Sequence, residues 1–361
     1  MKVAIVHDWL NQVGGAESVL EVLKEVFPQA PIYTSIYWSK AMPVQYREWD
    51  IRTSWLNRLP LIKRHHQPFL PLYPLAFEAF DLRGYELVIS NKSAFCHGVI
   101  TPSDAVHICY CLTPTRFLWD YHNYVRHERI NPLAAALLSP VLRNLRLWDK
   151  AAADRVEHFV AISETVRQRI KKFYRRDALV IHPPVDVRGF QVRESHDDYF
   201  LIVSRLIPYK RIDLAVQAFN LLGLPLKILG DGRDRRRLEA MANSNIEFLG
   251  RLQDQQVGEY LSRCRAFIFP GEEDFGIAPL EAQAAGRPVI AYAAGGALET
   301  VVDGVTGLFF REQRAESLAE VVSSFDGKAF DGVTIRQHAQ DFDKEAFKNK
   351  LGAFVDEKLG R

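Results

Sequence analysis

The chain has little cysteine. Four residues in 361 (Cys96, Cys109, Cys111 and Cys264) form no Cys-x-x-Cys pair and keep no metal-site spacing. That excludes a disulfide scaffold and a thiolate–zinc module. Free cysteine near strands packs as a small hydrophobe, so a reducing cytoplasm is the expected compartment. Net charge is also nearly absent: 46 Lys and Arg against 44 Asp and Glu leave +2, which predicts no global attraction to nucleic acid. No uninterrupted apolar run reaches the roughly 18 residues of a spanning helix. The opening stretch MKVAIVHDWLNQVGG turns polar too early for a signal peptide and reads as a first β-strand. No Gly-x-Gly-x-x-Gly fingerprint follows it, which weakens a nicotinamide reading. Repeats and low-complexity segments are missing too.

What is present is α/β alternation across a length suited to two domains. Apolar strands are predicted at Lys2–His7, Leu87–Ser90, Val106–Cys111 and Phe159–Ile162, with a helix over Ala16–Phe27. The pattern restarts with strands at Tyr199–Ser204, Leu226–Gly230, Ile246–Leu249, Ala266–Phe269 and Pro288–Tyr292. Helices fall at Ile212–Leu221 and Arg233–Met241. Continuous apolar strands between helices predict doubly wound parallel sheets. The segment His182-Pro183-Pro184-Val185-Asp186 and the polar run after it suit a linker. The expected domains are residues 1–194 and 195–341, followed by an amphipathic helix over 342–361. Ligands of such folds bind outside the carboxyl ends of strands, so the expected site is a cleft between two facing sheets.

The most informative stretch is Gly271–Gly307, GEEDFGIAPLEAQAAGRPVIAYAAGGALETVVDGVTG. Glu273 and Glu281 stand eight residues apart. Between them lie Phe275-Gly276-Ile277-Ala278 and Pro279, a residue suited to a helix's first turn, which would put Glu281 in that turn. A glycine loop feeding a helix N-terminus is an anion site. Flanking carboxylates add acceptors for hydroxyls, so a nucleotide-sugar fits. The plain structural reading is that both glutamates offset the helix dipole.

The ordered set goes further. Glu273, Glu281, Gly286-Arg287-Pro288-Val289-Ile290-Ala291, Gly295-Gly296, Glu299 and Asp303-Gly304-Val305-Thr306-Gly307 resemble the signature of the retaining GT-B glycosyltransferases, mannosyl- and glucosyltransferases of the group 1 type. That resemblance covers nearly the whole chain. It implies two Rossmann-like domains facing across a cleft, with the terminal helix returning to the N-terminal domain. Further matches follow. Arg205 and Lys210, just past a strand end, match the family's Arg-x4-Lys spacing, which implies cations for the donor diphosphate and no metal. Gly14 and Gly15, in Asn11-Gln12-Val13-Gly14-Gly15-Ala16-Glu17, resemble its Gly-Gly-Ala-Glu loop facing donor phosphates and acceptor. Gly230 and Gly232 resemble a turn near the nucleotide, and Arg251 lies in the loop placed against the base. Each of these glycine pairs also reads as a plain turn.

In the N-terminal half, Cys109 to Asp120 resembles the acceptor-side strand and loop, with Thr113 and Arg116 as candidate contacts. Leu112 stands where many members carry a histidine that helps position the sugar. Leucine cannot supply that hydrogen bond, so the role either lapses or passes to Thr113, Arg116 or a histidine such as His97. Finally, Trp55, Leu59, Leu61 and Ile62 beside Lys63, Arg64, His65 and His66 suit an anionic membrane or a lipid-linked acceptor. A Pro-broken packing element is the other reading of that stretch.

These readings converge on a hexosyltransferase acting in polysaccharide biosynthesis at the cytoplasmic face of a membrane. The expected donor is a nucleotide-sugar, GDP-mannose first, with a glycan or lipid-linked acceptor. No cofactor and no metal are expected. Glu273, Arg205 and Lys210 are expected to carry the chemistry. Binding falls to Gly14, Gly15, Gly230, Gly232, Arg251, Phe275, Gly276, Ile277, Ala278, Glu281, Thr113 and Arg116. The rivals are a sugar-nucleotide epimerase or phosphorylase of the same architecture, and a non-catalytic nucleotide-sugar-binding subunit.

Overall fold

Short apolar strands need partners on both edges and cover on both faces, and the chain supplies these twice. The computed structural model describes residues 1–120 and 132–360 and divides into two units, 1–182 with 348–361, and 183–347.

The first unit holds β1 (Val3–His7), β2 (Ile32–Thr34), β3 (Ile51–Thr53), β4 (Leu87–Lys92), β5 (Val106–Cys111), β6 (His158–Ala161) and β7 (Ala178–Val180). Their order is β3-β2-β1-β4-β5-β6-β7, and every pairing is parallel. The second unit holds β8 (Phe200–Val203), β9 (Leu226–Leu229), β10 (Ile246–Gly250), β11 (Phe267–Phe269), β12 (Val289–Tyr292) and β13 (Gly307–Phe310). Its order is β10-β9-β8-β11-β12-β13, again parallel. Each sheet therefore reverses its winding once, between β1 and β4 and between β8 and β11. Those switch points leave a crevice beyond the strand ends.

Side-chain alternation feeds both faces of the second sheet. Phe200, Ile202, Ile228, Ile268 and Ile290 pack in one cluster. Leu201, Leu229, Phe267, Val289 and Ala291 pack in another. Successive residues thus point to opposite cores, as a helix-covered parallel sheet demands.

Several strand ends move by a residue or two from the sequence reading. The strands β2, β3 and β7, three residues each, and β13 escape it altogether, because such short runs carry no periodicity. The units part at His182/Pro183 rather than near Glu194. The reason is visible in the hydrogen bonds. Arg336 donates to Val187 O at 3.0 Å and Phe190 O at 2.8 Å, and Arg287 donates to Arg193 O at 2.9 Å. The supposed linker is therefore fastened to the second unit. The last helix is Lys344–Lys358. Residues 348–361 belong to the first unit, where Leu351 and Phe354 are buried and Lys348 pairs with Glu25 at 2.8 Å.

Candidate active site

The second unit's switch point collects the charged candidates. Strand β8 ends at Val203 and delivers the loop with Arg205 and Lys210; β11 ends at Phe269 and delivers Glu273. Because β8 and β11 are neighbours, the two loops meet. Lys210 Nζ and Glu273 Oε1 form an ion pair with their side chains 14% and 19% exposed. Lys210 also lies over the Tyr209 ring, 5.4 Å from its centroid. Arg205 is exposed and makes no ion pair among the described residues. One cation is thus spent on a carboxylate, and one is open to solvent.

The loop carrying Glu273 is held from behind. The Gly296 N–H donates to Glu273 O at 2.8 Å. A Cβ on Gly295 would fall 2.3 Å from Glu273 O, and one on Gly296 2.2 Å from the Phe275 backbone. The Gly-Gly pair is therefore required by close approach to this loop. Gly230 and Gly232 are needed in the same way: added Cβ atoms would lie 1.9 Å from Ser204 O and 2.2 Å from Leu206 O. That turn buttresses the backbone around Arg205, so the plain structural reading suffices for both glycines. Arg251 follows β10 and is exposed.

After buried Phe275, Gly276 (φ 99°) caps the helix Ile277–Ala284. The first amides, those of Ile277 and Ala278, have no intrahelical acceptor and stand at the positive end of the helix. Glu281 is the fifth residue of this helix, and the first turn holds no acid. Its expected first-turn position is corrected: Pro279 does lie in the first turn, but as the third helical residue, which carries Glu281 just past that turn. Dipole compensation, which fades beyond one turn, therefore does not account for Glu281. Although part of its side chain reaches the surface, burial of the carboxyl pushes its pKa up to about 7, helped by the nearby Asp254 charge. A carboxyl so placed gains by accepting hydrogen bonds from hydroxyl donors.

The candidates of the first unit sit near its own switch point. Gly14 caps the helix Gly15–Val26. Glu17 beneath it is buried and meets His7 Nε2 at 3.3 Å. Thr113 is buried, and its hydroxyl donates to Pro114 O at 3.1 Å. Arg116 opens the short helix Arg116–Trp119. Leu112 is half-buried. His97 cannot take over from it, because it is fully buried, with Nε2 3.2 Å from Asp149 O. Burial holds its pKa well below the usual histidine value, with Lys92 adding to the effect.

Two features here escaped the sequence reading. Asp8 is buried and accepts N–H bonds from Ser93 (2.6 Å), Ala94 (2.7 Å), Phe95 (2.6 Å) and Cys96 (2.8 Å), and the Ser93 hydroxyl at 2.9 Å. Lys92 is fully buried and donates to Thr113 O at 3.1 Å and Thr115 Oγ1 at 3.2 Å, which pins the loop after β5. A lysine closing an apolar strand was the available signal. Of the apolar side chains offered to a membrane, Ile62 is fully buried and Leu59 packs on the core. Trp55 and Leu61 are exposed, and Arg64 lies over the Trp38 ring.

Comparison with known proteins places this geometry. A GDP-mannose-dependent monoacylated alpha-(1-6)-phosphatidylinositol monomannoside mannosyltransferase of Corynebacterium glutamicum is 36% identical over 135 residues, 33% of this chain and 35% of that protein. An uncharacterized glycosyltransferase of Methanocaldococcus jannaschii is 25% identical over 205 residues, 55% of this chain and 58% of that one. The chain thus spans less than two thirds of the length of these curated relatives. Among solved structures, HepE of Anabaena in complex with UDP superposes with a TM-score of 0.74 at 17% identity, covering 99% of this chain and 100% of that one. That likeness shows the fold, GT-B. Residues 187–326 match the family model of glycosyl transferases group 1, so the second unit, with its Lys210–Glu273 pair at the switch point, is a group 1 glycosyl transferase domain.

Proposed function

We propose that the chain is a retaining, metal-independent hexosyltransferase that moves mannose from GDP-mannose to a glycan or lipid-linked acceptor in polysaccharide biosynthesis. The observation that carries this reading is the Lys210–Glu273 pair at the β8/β11 switch point, with Arg205 exposed on the same loop as Lys210. Arg205 and Lys210 hold the diphosphate and stabilise it as it leaves, a task otherwise given to a metal ion. Glu273 takes hydroxyls of the transferred sugar, and Glu281 takes the ribose. The amides of Ile277 and Ala278 face the developing phosphate charge. Gly14, Gly15, Thr113 and Arg116 serve the acceptor side. As the bond from the anomeric carbon to the β-phosphate oxygen breaks, the acceptor oxygen bonds to that carbon from the same face. Its proton passes to the departing phosphate oxygen, which retains configuration without a protein nucleophile. Mannose is favoured because the relative from Corynebacterium is a GDP-mannose-dependent mannosyltransferase. Peripheral contact with an anionic membrane completes the reading.

A thermal-shift series with GDP-, UDP- and ADP-sugars tests the donor, since a ligand that binds the native state raises its apparent stability. GDP-mannose should give the largest shift, and slow hydrolysis of that donor should persist in excess EDTA. Epimerised product would make the protein an epimerase, and tight binding without turnover a binding subunit. Strict Mg²⁺ dependence would overturn the cationic pair as metal substitute.

A further inference from the structure

One helix concentrates the positive charge of the chain. Arg167, Arg169, Lys171, Lys172, Arg175 and Arg176 all fall within residues 164–177. With Glu164 and Asp177 the stretch is net +4, while the whole chain is +2. The remaining residues are therefore net negative, and the near-neutral total conceals a local pole.

The helix Glu164–Tyr174 sorts these residues by side. Val166, Ile170 and Tyr174 face the core of the first unit. Gln168, Lys171, Lys172 and Arg175, spaced by three and four residues, form the opposite face, and all are exposed. Glu164 neutralises Arg167 at 2.7 Å, and Arg176 is tied to the carbonyls of Ala153 and Glu157 at 3.0 Å each. Lys171 and Arg175 have no ion-pair partner among the described residues, and Lys172 meets only the Phe173 ring, 5.7 Å from its centroid.

A second observation concerns Arg175 alone. It ends the helix with φ 56°, a left-handed conformation in which glycine is far cheaper than any residue with a Cβ. The chain carries an arginine where local structure favours none, so a cation is kept at a conformational cost.

We propose that this face is the surface by which the protein adsorbs to an anionic phospholipid bilayer. The aromatic residues of the stretch argue against a polynucleotide, which needs rings to stack on. Phe173 is stacked on Trp119 with centroids 5.1 Å apart, and Tyr174 is buried with its hydroxyl donating to Asp149 at 2.7 Å. An exposed stripe of cations without a stacking platform matches dispersed lipid headgroups. Leu179, 49% exposed on the neighbouring edge strand β7, adds a shallow apolar contact. The inference rests on the proposed membrane contact and is independent of the transfer reaction.

Co-sedimentation of the full chain with vesicles of phosphatidylglycerol in phosphatidylcholine tests it. Each basic residue near an anionic surface is worth about fivefold in binding, so Lys171→Glu/Lys172→Glu/Arg175→Glu should lower the partition coefficient by at least roughly a hundredfold. Binding of the native protein should fall steeply as salt rises. Arg175→Gly is the separating variant: it should raise the melting temperature and still weaken adsorption, a combination that a purely structural arginine would not produce. If the triple variant sediments like the native protein while Lys63→Glu/Arg64→Glu does not, this surface is wrong and the membrane contact stands elsewhere. If the native protein ignores the vesicles at low salt, or binds single-stranded DNA in preference to them, the proposal falls.

Discussion

The two sheets share a strand order and a switch point, yet they end their central strands in opposite ways. In the first unit the loop after β4 offers a row of backbone amides, and Asp8 from the end of β1 fills it, taking N–H bonds from four successive residues. The anion site is closed by the protein's own carboxylate. In the second unit the loop after β11 carries Glu273, and it faces a cation rather than amides. That pair is partly open to solvent, and under the proposed function an incoming diphosphate would compete with Glu273 for Lys210. The locked carboxylate of the first unit fixes its loop as scaffold, whereas the partly exposed pair of the second unit leaves a charge that the proposed function assigns to the donor.

The comparison breaks most sharply at Glu273. Glu273→Ala should lower transfer by roughly 10²–10³ through loss of contacts made as the sugar departs. Glu273→Gln keeps the shape and frees Lys210, so it should bind nucleoside diphosphate more tightly than the native protein while transferring as poorly as the alanine variant. Lys210→Ala and Arg205→Ala should weaken the diphosphate and leave the nucleoside alone. Calorimetry with diphosphate and nucleoside reads all four, and unchanged diphosphate affinity in Glu273→Gln would show that the ion pair is not in competition with the ligand.

The same substitution in the first unit should speak through stability. Asp8→Ala leaves three buried amides and the part-buried amide of Ser93 without acceptors, at a cost of roughly 3 kcal/mol or more given about 1–3 for each orphaned buried donor and some relaxation. Chemical denaturation checks it, and a loss below about 1 kcal/mol would mean that water replaces the carboxylate, so that the site is not closed.

The contrast also explains what was legible in the sequence. Glu273, the Gly295-Gly296 pair and the Lys210 loop lie on short strand–loop–helix units. Each residue type there answers a local demand: backbone approach, helix entry, or charge past a strand end. Asp8 and its amides are more than eighty residues apart in the chain, and nothing local marks a short acidic turn as a lock. Lys92 is hidden for a related reason. Its partners Thr113 and Thr115 come from another loop, so the residue looks like the polar end of a strand. Strands of three residues, such as β2 and β3, are decided by neighbouring strands rather than by their own pattern. Glu281 lies just beyond the first turn where the sequence reading puts it, because a proline fits any of the first helical positions.

The gentlest test uses that glutamate and pH. Its carboxyl ionises at about 7 in the folded protein against an ordinary value of 4.5. Between those values the folded state keeps a proton that the unfolded chain has released. Stability contributed by this group is therefore full below pH 4.5, declines as pH rises, and levels off above 7. Protonated-state preference is worth about 1.4 kcal/mol per pH unit of separation, so the decline amounts to roughly 3 kcal/mol. Glu281→Gln should remove that slope. If ribose hydroxyls donate to the ionised form, diphosphate affinity moves the other way. It should rise about tenfold from pH 6 to pH 8 in the native protein, following the ionised fraction. The glutamine variant should keep only the weaker dependence of the phosphate itself. Titrations of both proteins across that range decide the matter. Parallel curves would take Glu281 out of the binding site and leave it a half-buried acid of the helix Ile277–Ala284, whose raised pKa reflects packing and the nearby Asp254 charge alone.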